Sequence, residues 1–110
     1  MITLKAIKEN KGATLTSNGE EVKQSNGYQV SVRDMDIIPV YKLLKRDIMA
    51  LLNAVPQGYN LGIWINKGKA YIDISKTYKR KEYAVKVGNK NNQISIWDWQ
   101  AQEAIMLREV

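Results

Sequence analysis

The strongest constraint on the fold is a stretch in which apolar residues alternate on both sides of a tight turn. Leu61, Ile63 and Ile65 share one side of an extended segment, and Ala70, Ile72 and Ile74 share one side of the next. Asn66-Lys67-Gly68-Lys69 lies between them. Successive side chains of a strand point to opposite faces, so this spacing predicts a hairpin with a single core face. Its other face carries Trp64, Tyr71 and Asp73. An isolated hairpin is marginal in water, so the isoleucine face requires a second layer.

The sequence offers a helix for that layer. Ile37, Tyr41, Leu44, Ile48, Leu51 or Leu52, and Val55 recur at three- and four-residue steps, while Lys42, Lys45, Arg46 and Asp47 fall elsewhere. The pattern predicts a long amphipathic helix with Asp36 as N-cap, Pro39 in the first turn, and Pro56 and Gly58 as its stop. Upstream, Ile2, Leu4 and Ile7 mixed with Thr3, Lys5 and Lys8 predict a first strand that ends at Glu9-Asn10-Lys11-Gly12. Ala13-Thr14-Leu15-Thr16 leads into Ser17-Asn18-Gly19, and Asn26-Gly27 precedes the alternating Tyr28 to Arg33; Asn-Gly favours hairpin turns because both positions adopt positive φ. Downstream, Arg80 to Gly88 fits a short helix that buries Tyr83, Ala84 and Val87 and ends on Gly88 as its C-cap. Asn89-Lys90-Asn91-Asn92 turns into a strand from Gln93 to Trp99, and residues 100–110 add a turn and an edge strand. The predicted fold is a single α+β domain: an antiparallel or mixed sheet with one long and one short helix packed on it, in the order β-β-β-α-β-β-α-β.

Composition narrows the chemistry. A chain of 110 residues buries roughly two-thirds of the surface it exposes when unfolded, enough for one core without disulfides or metal. It has no cysteine and no histidine, which removes thiolate nucleophiles, Cys/His zinc sites and any imidazole base. No cofactor or metal is expected. No apolar run reaches the roughly 20 residues that span a bilayer, and the opening residues alternate in polarity, so a cytoplasmic location is expected, with no membrane partner.

The net charge of +6 favours acidic partners, and its excess is local. Lys76, Lys79, Arg80, Lys81, Lys86 and Lys90 face only Glu82 between residues 76 and 90, with Thr77, Tyr78 and Tyr83 interleaved among them. The cations and Tyr78 are the candidate contacts for phosphates or an acidic protein surface. A second candidate surface is aromatic. If the isoleucines of the last strand share the core face, Trp97 and Trp99 join Trp64 and Tyr71 on the opposite face, the arrangement on which nucleic-acid-binding sheets stack bases. Packing explains the same residues, because tryptophan and tyrosine are common in strands, and that reading is preferred. Asp73 and Asp98, and Glu21-Val22-Lys23, are the only hints of carboxylate chemistry. With no nucleophile, base or phosphate-loop pattern beside them, no catalytic residue is assigned.

Gly27-Tyr28-Gln29-Val30, Gly62-Ile63-Trp64-Ile65, Gly68-Lys69-Ala70-Tyr71-Ile72-Asp73-Ile74-Ser75, Tyr83 to Gly88, and Asn92-Gln93-Ile94-Ser95-Ile96-Trp97-Asp98 together resemble small accessory proteins of bacterial phages, plasmids and integrated elements. The resemblance implies a non-enzymatic protein that inhibits a host defence system by binding. Anti-CRISPR proteins, which block an RNA-guided nuclease or its assembly on guide RNA, are among such inhibitors. The partner would then be the nuclease or the guide RNA. The reading that rests on residues alone is a small basic module that binds RNA or single-stranded DNA.

Overall fold

The computed structural model describes residues 2–108. Along the chain they form α1 (Leu4–Glu9), β1 (Gly12–Thr16), β2 (Tyr28–Pro39), a 3-10 turn (Val40–Lys42), α2 (Lys45–Leu52), β3 (Asn60–Asn66), β4 (Lys69–Tyr78), α3 (Lys81–Lys90), β5 (Ser95–Asp98) and β6 (Glu103–Met106). The fold is α+β, with an antiparallel sheet ordered β1-β3-β4-β2-β5-β6. Contacts divide the chain into two units. One comprises the chain up to Val22 with Asp34–Ile74; the other comprises Lys23–Arg33 with the chain from Ser75 onward.

In the first unit the predicted hairpin forms as β3 and β4. Lys67 and Gly68 both take positive φ, +50° and +77°, as a two-residue turn between right-twisted strands requires. Leu61, Ile63, Ala70 and Ile72 are buried in one cluster with Ile48 and Leu52 of α2, so the helix does cover the isoleucine face. β1 pairs antiparallel with β3, setting Leu15 opposite Leu61 and Gly12 opposite Trp64. The Ser17-Asn18-Gly19 turn brings the chain back along β1: Thr16 N–H donates to Glu20 and Val22 N–H to Thr14.

Two predicted elements of this unit are corrected. The expected first strand is the helix α1. Thr3 caps it by accepting the Ala6 N–H on its hydroxyl, and Leu4 and Ile7 are spaced as helical neighbours. The long helix is shorter than predicted and starts later. Asp36 and Ile37 belong to β2, and Tyr41 to the 3-10 turn; Ile37 and Tyr41 are exposed. Pro39 ends a strand instead of opening a helix, because the residue before a proline is pushed out of the helical region and Ile38 stays extended. Val40 N–H then donates to the Gly68 carbonyl, tying the end of β2 to the β3–β4 turn. Helix α2 begins after Leu44, whose N–H is capped by Asp47 at 2.8 Å. The later start shifts the phase of burial, so Leu43 is fully buried where Leu44 was expected, and Leu44 is exposed.

The second unit has its own small core, Val30, Ala84 and Ile96, flanked by half-buried Tyr28, Val87, Ile105 and Leu107. β5 pairs with β2 on one side, Gln29 opposite Trp97, and with β6 on the other, Ile96 opposite Ile105. The predicted tail strand is β6; residues 109 and 110 of that predicted segment lie outside the described residues. Gln29 crosses to β4 and to the turn after β5. Its amide donates to Ser75 Oγ at 2.9 Å, and its carbonyl accepts from the Thr77 hydroxyl at 2.6 Å and from the Trp99 indole at 3.1 Å.

Helix α3 runs to Lys90 and is capped by Asn91, so Gly88 is not the predicted C-cap. It lies inside the helix, where a Cβ would stand 2.6 Å from Leu107 Cδ1 and 3.0 Å from Ile96 Cγ2. Glycine is there for close approach. In Gly88→Ala, a helix-propensity gain of up to about 1 kcal/mol opposes the displacement of two side-chain ends, and the net change is expected to stay within about 1 kcal/mol. Gly88→Val adds two further methyls to the same gap and is expected to destabilise by roughly 2–3 kcal/mol. Urea unfolding midpoints distinguish this close-packing role from a cap, where both substitutions would cost alike.

Candidate functional site

The basic segment begins where β4 leaves the sheet. Ser75 is buried by its bond to Gln29, whereas Lys76, Lys79, Arg80 and Lys81 are exposed. Arg80 is extended at the N-cap of α3 and makes no side-chain cap bond. Along the helix, Ala84 and Gly88 turn inward, leaving Lys81, Glu82, Tyr83, Lys86 and Lys90 on the outer surface. The amphipathic pattern thus places Lys81, Lys86 and Lys90 in solvent, with no ion pair to another described residue.

Two open concavities lie along this face. The larger, about 430 Å³, is lined by Val32, Tyr78, Tyr83, Lys86, Val87, Lys90 and Asn91. The smaller, about 240 Å³, is lined by Arg80, Glu82, Tyr83 and Lys86. Tyr83 and Lys86 border both. The Tyr83 ring meets Tyr78 edge-on, with centroids 5.4 Å apart and planes at 61°, yet remains 55% exposed. Its expected burial was wrong because it lies beside the inward stripe that Ala84 and Gly88 define.

Of the predicted contacts, Tyr78, Lys86 and Lys90 line the larger concavity, and Arg80 and Lys86 the smaller. Lys76, Lys79 and Lys81 are exposed but line neither. Lys79, Arg80, Lys81, Lys86 and Lys90 form no ion pair with another described residue, although Glu82 stands four residues before Lys86. Sequence reasoning missed Asn91, and it noted Tyr83 among the cations but expected the helix to bury it. For Tyr83 a signal was present, since Tyr83, Lys86 and Lys90 follow the three- and four-residue steps of one helical stripe. Asn91 is partly committed, its side-chain amide donating to the Val87 carbonyl at 2.9 Å.

The predicted aromatic set does not behave as a group. Trp64 is 52% exposed, which corrects the preference for a covered face, and tilts over half-buried Tyr71 with centroids 5.4 Å apart. Its cross-strand neighbour on the edge strand β1 is Gly12, and the ring's contact is with Tyr71. Trp97 is 36% exposed and meets Trp99 edge-on. Trp99 leaves the stacking set: β5 ends at Asp98, the chain turns, and the indole folds in to 8% exposure on Gln29.

The carboxylates have structural roles. Asp98 Oδ1 accepts the N–H groups of Gln100 and Ala101 in the turn after β5. The Asp73 carboxylate packs on the bare Cα of Gly62, where a Cβ would collide with it. Glu21 pairs with Leu15 through its backbone, in an isolated antiparallel bridge. No group of three or more Asp or Glu that could hold a metal ion occurs among the described residues, and none of their helices is long and apolar enough to cross a membrane. No protein-family model, curated protein or solved structure matches the chain.

Proposed function

We propose that the protein acts by binding, without catalysing a reaction, and that its ligand is nucleic acid held on the outer face of α3 and the segment leading into it. The observation that carries this reading is the set of five exposed cations, Lys79, Arg80, Lys81, Lys86 and Lys90, with no ion pair to a described carboxylate, of which Arg80, Lys86 and Lys90 line two concavities that share Tyr83. Of these, Lys90 in the last turn complements the helix dipole, but the others are less well placed. Arg80 and Lys81 sit at the positive end of the helix dipole, and Lys86 and Lys90 are like charges four residues apart. An external polyanion turns this unfavourable arrangement into a favourable one. The tyrosines beside the cations favour nucleic acid over an acidic protein surface, because every base offers a face for stacking.

In the setting that the resemblance implies, the nucleic acid is the guide RNA of a host RNA-guided nuclease. The protein is then an inhibitor of host defence carried by a mobile element. Titration of labelled RNA and DNA at two salt concentrations tests the binding reading. If all five cations neutralise phosphates of a single strand, affinity is expected to fall about a hundredfold between 50 and 200 mM salt. Absence of binding at low salt, or binding indifferent to salt, rejects it. A plasmid-interference assay with and without the protein tests the inhibitor role, and unchanged interference across CRISPR types rejects that role alone.

A further inference from the structure

Resting on the nucleic-acid reading, we infer that the larger concavity takes one nucleotide of a single strand, its base stacked on Tyr83 and the strand's phosphates running along Lys86 and Lys90. Tyr83 is 55% exposed, so a face of the residue is open to a partner beside its contact with Tyr78. Its edge contact with half-buried Tyr78 restrains it, so little side-chain freedom is lost when a base stacks. Stacking on an aromatic ring needs an unpaired base, and a duplex would offer this site only its phosphates.

The spacing of the cations agrees with a strand that follows the helix. Lys86 and Lys90 are four residues apart, a rise of about 6 Å, comparable to the step between successive phosphates of an extended strand. A volume of about 430 Å³ is at the small end for ligand sites and accommodates a single nucleotide. Beyond the ring, the smaller concavity presents Arg80 to the neighbouring phosphate. Asn91, in the lining of the larger one, offers an amide oxygen, its nitrogen being bonded to the Val87 carbonyl.

The test is fluorescence anisotropy of the full chain with labelled oligouridylate, oligothymidylate and a short DNA duplex at low salt. Both homopolymers are expected to bind, since stacking and phosphate contacts need no 2′-hydroxyl. Tyr83→Leu is expected to weaken single-strand binding roughly 5- to 150-fold while duplex binding stays within about twofold. Tyr83→Phe retains the ring and is expected to retain the affinity. Tyr83→Gln, a polar helix former, repeats the test if the leucine variant aggregates. Single-strand affinity unchanged in Tyr83→Leu and Tyr83→Gln, or an equal loss on the duplex, overturns this inference and leaves the binding reading standing. A wild-type chain that binds none of the three probes removes both.

Discussion

Reversing Lys79, Arg80 and Lys81 to glutamate is expected to weaken nucleic-acid binding by three or more decades at low salt while leaving the fold intact or slightly more stable. Each exposed cation facing a polyanion is worth up to about 1 kcal/mol, and reversal replaces attraction by repulsion, so three reversals remove on the order of 4–6 kcal/mol. The same change acts in the opposite direction on α3. Its first turn then carries anions where the dipole is positive, worth roughly 0.3–1 kcal/mol for each well-placed charge. Opposed effects in one variant separate a functional surface from a structural one. Anisotropy titration measures the first effect and thermal melting the second. A triple variant that binds like the wild type places the interface elsewhere, with Trp64 and Trp97, the exposed tryptophans of the predicted aromatic set, the residues to examine next.

The largest expected loss of stability from a single polar residue is at Gln29. Its side chain is 7% exposed and satisfies the Ser75 and Thr77 hydroxyls and the Trp99 indole at once. Gln29→Leu keeps the approximate volume and leaves the indole N–H buried without its acceptor. A stranded buried donor costs about 1–3 kcal/mol, and with two hydroxyls also deprived of a partner the total is expected to be roughly 2–4 kcal/mol. Against a typical domain stability of about 5–15 kcal/mol this is a large fraction, visible as a drop in Tm on the order of 10 °C. Trp99 should loosen first, so near-ultraviolet circular dichroism should change below the main transition. A loss under about 0.5 kcal/mol would mean that these groups find other partners and that Gln29 does not organise them.

The sequence was legible where one local rule acted alone. Strict alternation on both sides of Lys67-Gly68 led directly to β3 and β4, and the Ile48, Leu52 and Val55 part of the helical stripe is buried as its spacing required. It misled where two rules competed. Ile37 and Tyr41 matched the helical period, but β2 continues through Ile38 in the sheet, and the proline after it disfavours a helix at that position. Ile2, Leu4 and Ile7 fit a strand about as well as a helix, and the Thr3 cap decided between them. The basic segment was visible as a count of charges with tyrosines between them; that the Tyr83 ring is exposed was not, because helix phase sets which side of α3 faces the core.

From sequence alone come the α+β class, the β3–β4 hairpin with its isoleucine core face, the exclusion of thiol and imidazole chemistry, and the concentration of positive charge between residues 76 and 90. These depend on residue type and short-range periodicity, which the chain carries without reference to distant partners. Tertiary structure decided the rest: the extent of β2, the burial of Trp99 on Gln29, the glycine demanded at position 88, and the exposed tyrosine between two basic concavities. Each of these depends on residues far apart in sequence. Gln29 meets Trp99, and Gly88 meets Leu107 and Ile96, only when strand register and helix phase bring them together.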